Sequence, residues 1–249
     1  MAETLDYDEL EKFGDLGEAW WDPEGPMRPL HLLQPTRMAW IREQAVRHFG
    51  GDPKARRPLE GLRALDVGCG GGLSCEPLAR LGARVVGIDP VRRNIEVARE
   101  HARGAGLSID YRIATVEDLY VRHETFDLVL ALEVVEHVPD PAEFLGEAAG
   151  LVAPGGMLIL STLSRTLRAL LLGVVAAEFL LGWLPPGTHD WRRFLKPSEV
   201  AAMLRAHGLL AIATTGLVFD PAHERFERSR DLSVNYMLAA VRPPEGAKA

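Results

Sequence analysis

Three groups of residues combine side-chain types that chemistry needs. Residues 65–72 read LDVGCGGG, an apolar run ending in glycines, where missing side chains let a ligand approach the backbone closely. The glycines fall as G-x-G-x-G at Gly68, Gly70 and Gly72, whereas the dinucleotide fingerprint wants its last glycine one position later. Asp89 closes the next apolar run, where a carboxylate can accept hydrogen bonds from both ribose hydroxyls of a nucleoside. The competing role for Asp89 is to cap the following helix. Glu117 and Asp118 follow the third apolar run and read either as neighbours of an adenine edge or as plain surface acids. Glu133, Glu136 and His137 stand at i, i+3 and i+4. On a helix these positions share a face, so two carboxylates and an imidazole could converge on one divalent cation. Magnesium fits such a set when water completes its shell. Glu136 and His137 also read as helix-capping groups or as a direct base.

Those residues need a scaffold that positions them. Strand-like and helix-like runs alternate from Arg63 onward, which predicts an α/β fold with a mostly parallel, seven-stranded sheet flanked by helices. Strands are expected over 64–67, 84–88, 109–113, 126–131, 157–161, 211–218 and 233–240. Helices are expected from Leu73, around Val97 and Ala98, through Glu133 to a stop at Pro139, and over 141–151. Residues 1–60 read as an N-terminal helical cap and linker, and 61–249 as the main domain. Residues 166–187 interrupt the alternation. The apolar run 167–184 carries Arg168 and Glu178 and is marginal in length for a bilayer, so it reads as an inserted helix.

Composition narrows the function classes. With 47% apolar residues in 249, the chain can bury a full core without crosslinks. A net charge of −7 argues against nucleic acid as a partner, because a phosphate backbone needs a basic surface. The two cysteines, Cys69 and Cys75, lie where a disulfide would distort the glycine turn, which points to a reducing compartment. The first residues lack an apolar signal core and an Arg-rich transit pattern, so a cytoplasmic, bacterial protein is expected.

The order LDVGCGGG, GIDP, FDLVLALEVVEHVPDP, LVAPGGMLILST resembles the Rossmann-like class I methyltransferases. That resemblance implies S-adenosyl-L-methionine as cofactor. Gly68 and Gly70 would then lie at its methionine part, Asp89 at the ribose and Leu132 beside the adenosine. The flanks are more specific. FGDLGEAWWDPEGPMRPLHLLQPTRMAWI at 13–41, STLSRT at 161–166, PPGTHDWRRFLKP at 185–197 and DLSVNYMLA at 231–239 are similar to the O-methyltransferases of ubiquinone biosynthesis. Nearly the whole chain is covered, with Gln34 and Ser164 standing where that family usually has Asn.

This finer resemblance implies a polyprenylated catechol or quinol as substrate, with both O-methylation steps as candidate reactions. The alternative is another small phenolic or lipid acceptor. Arg37 corresponds to an arginine that holds the cofactor carboxylate, a task suited to its planar fork. A phenol has a pKa of roughly 10, so a base or a Lewis acid must supply the phenolate. Glu136, His137 and His189 are the candidate catalytic groups, and Glu133, Glu136 and His137 the candidate magnesium ligands. His31 and Asp190 are further candidates in family-specific loops, while Trp20, Trp21 and Tyr236 read as ring-packing or core aromatics. A polyprenyl tail leaves a bilayer only at a cost of roughly 25 cal/mol per Å². The 167–184 run is therefore expected to act as a lid or to lie on the membrane, with Trp183 at headgroup level and Arg165 and Arg168 toward anionic lipids. Peripheral association with the inner face of the bacterial membrane, and contact with other enzymes of ubiquinone biosynthesis, complete the expectation.

Overall fold

Along β4 (Phe126–Leu132) the side chains alternate between two apolar surroundings: Leu128, Leu130 and Leu132 join one cluster, Val129 and Ala131 the other. A strand buried on both faces belongs in the middle of a sheet covered by helices on both sides. The computed structural model, which describes residues 17–170 and 193–246, has this three-layer form. The other strands are β1 (Arg63–Val67), β2 (Arg84–Asp89), β3 (Asp110–Ile113), β5 (Val152–Leu163), β6 (Leu210–Asp220), β7 (Arg225–Ser229) and β8 (Asn235–Val241). Their order is β3-β2-β1-β4-β5-β8-β6-β7. The first five are parallel, and β8, β6 and β7 continue the sheet antiparallel.

The sheet therefore has eight strands among the described residues, one more than the seven expected. The addition is β7, whose RFERS sequence has no apolar alternation. It pairs with the last residues of β6 at the sheet edge, where polar side chains are tolerated.

Helices α1 (Arg28–Phe49), α2 (Cys75–Arg80) and α3 (Arg92–Gly104) cover one face; α4 (Val116–Val121), α5 (Pro141–Gly150) and α6 (Pro197–Ala206) cover the other. Their ends follow from local chemistry. Gly50 stops α1 in a left-handed conformation, its N–H donating to the Val46 carbonyl. Thr115 and Asp118 close a capping box on α4, which gives Asp118 a structural role. Asp140 accepts from the N–H groups of Ala142 and Glu143 at the start of α5, where Pro141 needs no partner.

The α1 helix is built into the main core. Leu33, Met38, Trp40, Ile41, Ala45 and Val46 pack in one cluster with Leu128, Leu130, Met157, Ile159, Met237 and Ala239 of the sheet. Most of the expected inserted helix lies outside the described residues. Its leading edge is a helical turn, Leu167–Ala169, capped by Thr166. Among the described residues, no helix is long and apolar enough to cross a membrane.

Ile41 is fully buried, which makes it a measure of how much α1 contributes. Ile41→Ala should destabilise the fold by about 2–5 kcal/mol in denaturant titration, the range for a large-to-small core change. A loss near zero would mean that α1 is only loosely attached.

Candidate active site at the ends of the parallel strands

From β1 the chain winds outward to β2 and β3, then returns to β4 on the other side of β1. At such a switch point the crossovers diverge and leave a crevice above the carboxyl ends of the strands. The glycine turn follows β1, and Leu132 and Glu133 end and follow β4, so both flank this crevice. Gly68 and Gly70 have φ of +66° and +52°, in the region that favours glycine. Space is short as well: a Cβ on Gly68 would lie 2.7 Å from Val134 Cγ2, and one on Gly70 2.4 Å from Trp20 Cη2.

Asp89, the last residue of β2, points its buried carboxylate back at this turn. Oδ2 accepts from Gly70 N at 3.0 Å. Oδ1 accepts from Val91 N at 2.9 Å and from Asn94 Nδ2 at 3.2 Å. Burial pushes its pKa up, and these three donors oppose that shift. Val91 is the N-cap residue of α3, so Asp89 links β2, the glycine turn and the helix start.

Glu133 has φ +56°, a conformation that costs a non-glycine residue about 1–3 kcal/mol. Its carboxylate meets side chains from three other elements. Ser161 Oγ of β5 donates at 2.6 Å, Arg37 Nη2 of α1 at 3.2 Å, and Asn235 Nδ2 of β8 lies 3.4 and 3.5 Å from the two oxygens. Arg37 is buried, and its Nε has no partner. Burial lowers the Arg37 pKa, while the charges of Glu133, Asp66 and Glu136 counter it. The unused Nε–H and the cradle at Gly68 suit a ligand that carries a carboxylate.

The expected helix through Glu133 and His137 is absent; residues 134–139 form turns. The left-handed Glu133 and the restriction that Pro139 places on its predecessor both oppose a helix. The one-face argument for a metal site therefore fails. Glu133 is engaged with Arg37, Ser161 and Asn235, and no group of three or more His, Cys, Asp or Glu among the described residues could hold a metal ion. Glu133, Glu136 and His137 as arranged do not fit a three-ligand magnesium site.

Glu136 has a different environment. Its carboxyl is buried, with the Thr162 hydroxyl and its own backbone N–H as nearby donors that favour the charged form. Burial first, then the charge of Glu133, pushes its pKa up to about 7, against the opposing pull of His137. A buried acid poised near neutrality beside an imidazole can take or return a proton.

A methyltransferase-domain family profile matches residues 65–160. Among curated relatives, a ubiquinone biosynthesis O-methyltransferase of Chelativorans sp. (strain BNC1) is 50% identical over 96% of this chain and 95% of its own. One of Methylocella silvestris is 52% identical over 95% of this chain and 94% of its own. The chain belongs to the ubiquinone biosynthesis O-methyltransferase family. The fold agrees at long range. A solved magnesium protoporphyrin IX methyltransferase from Synechocystis PCC 6803, with bound SAH, superposes with a TM-score of 0.65 at 22% identity. That match covers 95% of this chain and 94% of the other.

Within this family member, several expected residues have structural partners. His31 Nε2 bonds to the Trp20 carbonyl at 3.0 Å. Tyr236 is a core residue whose hydroxyl donates to the Leu195 carbonyl at 3.0 Å. Gln34 donates to the Leu73 carbonyl at 2.7 Å and so ties α1 to the segment after the glycines. Ser164 is buried, its backbone N–H donating to the Val234 carbonyl. Glu117 is half-buried on α4, and its charge helps raise Glu147 of α5. His189, Asp190 and Trp183 lie outside the described residues. Sequence reading missed Asn94, Ser161, Thr162 and Asn235. Polar residues set in or beside apolar strand runs, as in MLILST and NYMLAAV, were the available signal for the last three.

Two outcomes follow from the carboxylates. Removing one partner of a buried ion pair costs about 3–5 kcal/mol, so Glu133→Ala should lose that order of stability on unfolding. Glu133→Gln, which keeps hydrogen-bonding atoms for Ser161 and Asn235, should lose less; equal losses would mean that the charge on Glu133 carries the whole effect and that the hydrogen bonds from Ser161 and Asn235 contribute nothing. Glu136 holds its proton to higher pH when folded, so its contribution to stability falls as pH rises from about 4.5 to about 7. Asp66, raised from 3.8 to about 7, acts in the same direction. Glu136→Gln should therefore flatten part of the fall in unfolding midpoint between pH 5 and pH 7. Parallel profiles for the two proteins would refute the shift.

Proposed function

We propose that this protein transfers the methyl group of S-adenosyl-L-methionine to a phenolic hydroxyl of polyprenylated catechol or quinol precursors of ubiquinone, with both O-methylation steps as its reactions. The supporting observation is the buried carboxyl of Glu136, which follows β4 with its pKa raised to about 7 and with the Thr162 hydroxyl of β5 as a donor beside it. A group of that kind can accept a proton from a phenolic hydroxyl at neutral pH.

The bound cofactor supplies an electrophilic methyl carbon on a sulfonium. Binding and alignment fall to the chain. Gly68 and Gly70 leave room for the methionine part, Arg37 offers its Nε–H to the carboxylate, and Asp89 accepts from the ribose hydroxyls. Leu132 flanks the adenosine and Glu117 its adenine edge. Holding donor and acceptor in line is the larger part of the rate enhancement for a displacement of this kind.

Glu136 takes the proton from the reacting oxygen. Its pKa of about 7 is close to the optimum for a base working at neutral pH. A phenol lies about three units higher, so complete proton transfer before attack would cost about 4 kcal/mol. The proton therefore moves as the new O–C bond forms. The charge of His137 favours the ionised form of Glu136. His189 joins this set on family likeness. No step here runs through a metal.

The substrate's tail calls for peripheral association with the cytoplasmic face of the membrane, where the 167–184 run would meet the lipid surface. Arg165 and Arg168, at its leading edge, are paired with Glu199 and Asp231. That pairing leaves the apolar residues, Leu167 first among them as a 72% exposed side chain, as the contact with lipid.

The deciding assay uses labelled S-adenosylmethionine and a short-tailed demethylubiquinol, with magnesium and then with excess chelator. Product in both conditions, with kcat falling as pH drops below about 7 and that limb lost in Glu136→Gln, is expected. Product in magnesium alone would displace Glu136 as the base and restore a metal to the mechanism. Failure in both, with cofactor binding intact, would mean that the acceptor is another molecule.

A further inference from the structure

Asp89 presents an accounting problem. A carboxylate offers about four lone-pair positions, and three are already used, by Gly70 N, Val91 N and Asn94 Nδ2. A ribose diol brings two donors, one more than the vacancy. Gly70 N and Val91 N belong to the backbone of the turn and the helix start, so the side-chain amide of Asn94 is the donor that can yield.

Asn94 is not independent. It is almost fully buried (1% exposed), and its Oδ1 accepts from Trp20 Nε1 at 2.9 Å. Trp20 belongs to a 3-10 turn, Gly17–Trp21, that lies across the glycine turn. A Cβ on Gly71 would meet Trp20 Cβ at 2.5 Å, so the contact is with the root of the side chain and not a movable tip. Trp21 donates from Nε1 to the Gly71 carbonyl at 2.9 Å and stacks on His101 at 3.5 Å and 5°. Glu76, buried, holds that imidazole at 2.6 Å. The 3-10 turn therefore has two attachments to the site. The Trp21 attachment does not involve Asp89; the Trp20 attachment ends on it.

We infer that Asn94 is a relay between the ribose-binding acid and the N-terminal turn: ribose hydroxyls replace its amide on Asp89, and Trp20 Nε1 changes its hydrogen bond in response. Asn94 and Trp20 are then positioning residues that couple cofactor occupancy to the seating of the 3-10 turn on the glycines. Trp21, anchored through Gly71 and His101, keeps the turn attached while Trp20 readjusts. The inference rests on the ribose reading of Asp89, and its test separates the two.

The five tryptophans give five indole N–H signals in a nitrogen-correlated NMR spectrum, and Trp20→Phe identifies the one that matters. On titration with S-adenosylhomocysteine the Trp20 signal should shift in the unmodified protein. Adenosine should shift it too, while 2′,3′-dideoxyadenosine at matched occupancy should not. In Asn94→Ala the ligand should still bind, but the Trp20 signal should no longer follow it. The calorimetric effects of Trp20→Phe and Asn94→Ala on S-adenosylhomocysteine affinity should be non-additive by about threefold or more, as for coupled neighbours. A Trp20 signal that stays fixed at saturation, or that responds equally in Asn94→Ala, overturns the relay. Should Asn94→Ala fail to fold, the dideoxyadenosine comparison in the unmodified protein decides alone. Asp89→Ala serves as the separate arm: unchanged affinity there would overturn the ribose assignment itself.

Discussion

The buried pair between Arg37 and Glu133 is the contact on which the site's geometry depends. Arg37 cannot shed its charge, and at 4% exposure it has little water. It therefore needs a fixed anion. Glu133 supplies that anion only because its backbone turns left-handed one residue beyond β4 and swings the side chain over the strand ends. Ser161 and Asn235 then hold the same carboxylate from β5 and β8. One carboxylate so fixes the spacing of α1, β4, β5 and β8 where a ligand must enter. The strain at Glu133 persists because four elements over-determine it.

That arrangement tunes its neighbour. Burial first, and then the neighbouring Glu133 among its donors, raise Glu136 to about 7. Two glutamates three residues apart thus differ in character through environment alone, the pattern by which a site separates a structural anion from a proton acceptor. Asp66, beneath the glycine turn, is also raised to about 7, with Cys75 Sγ donating to it at 3.3 Å and Arg37 lowering it. Burial pushes the Cys69 thiol up to about 11 and Cys75 well above its usual value. Both cysteines therefore act as small packing residues here, since the reactive form is the thiolate.

The parts of this architecture that were legible in sequence are those set by local rules. The glycine run after β1, Asp89 at the end of β2 and the apolar alternation of the parallel strands each carry their own signal, and strand positions were read to within a few residues at most ends. Where non-local contact decided the outcome, the reading went astray. EVVEH has helical spacing, but Arg37, Ser161 and Asn235, remote in sequence, hold Glu133 in a conformation that stops a helix. RFERS becomes a strand because β6 offers it an edge, a circumstance that its own composition does not disclose. Asn94 looks like an ordinary helix residue until Trp20 and Asp89 are seen on either side of it.

The walls of the crevice come largely from outside the parallel strands. Trp20, Trp21 and Arg37 precede β1, Asn235 lies on the antiparallel β8, and Ser161 and Thr162 sit where β5 runs on beside it. The parallel half of the sheet supplies what any nucleoside-binding member of this architecture needs, a glycine turn and an acid at the switch point. Choice of acceptor has to be made by the added parts, because a fold hosts many reactions and the site alone selects among them. In this chain the added parts also reach the proton acceptor. Arg37 of α1 pairs with Glu133, whose charge adds to burial in raising Glu136 to about 7, so a change in α1 is felt at Glu136 through that pair.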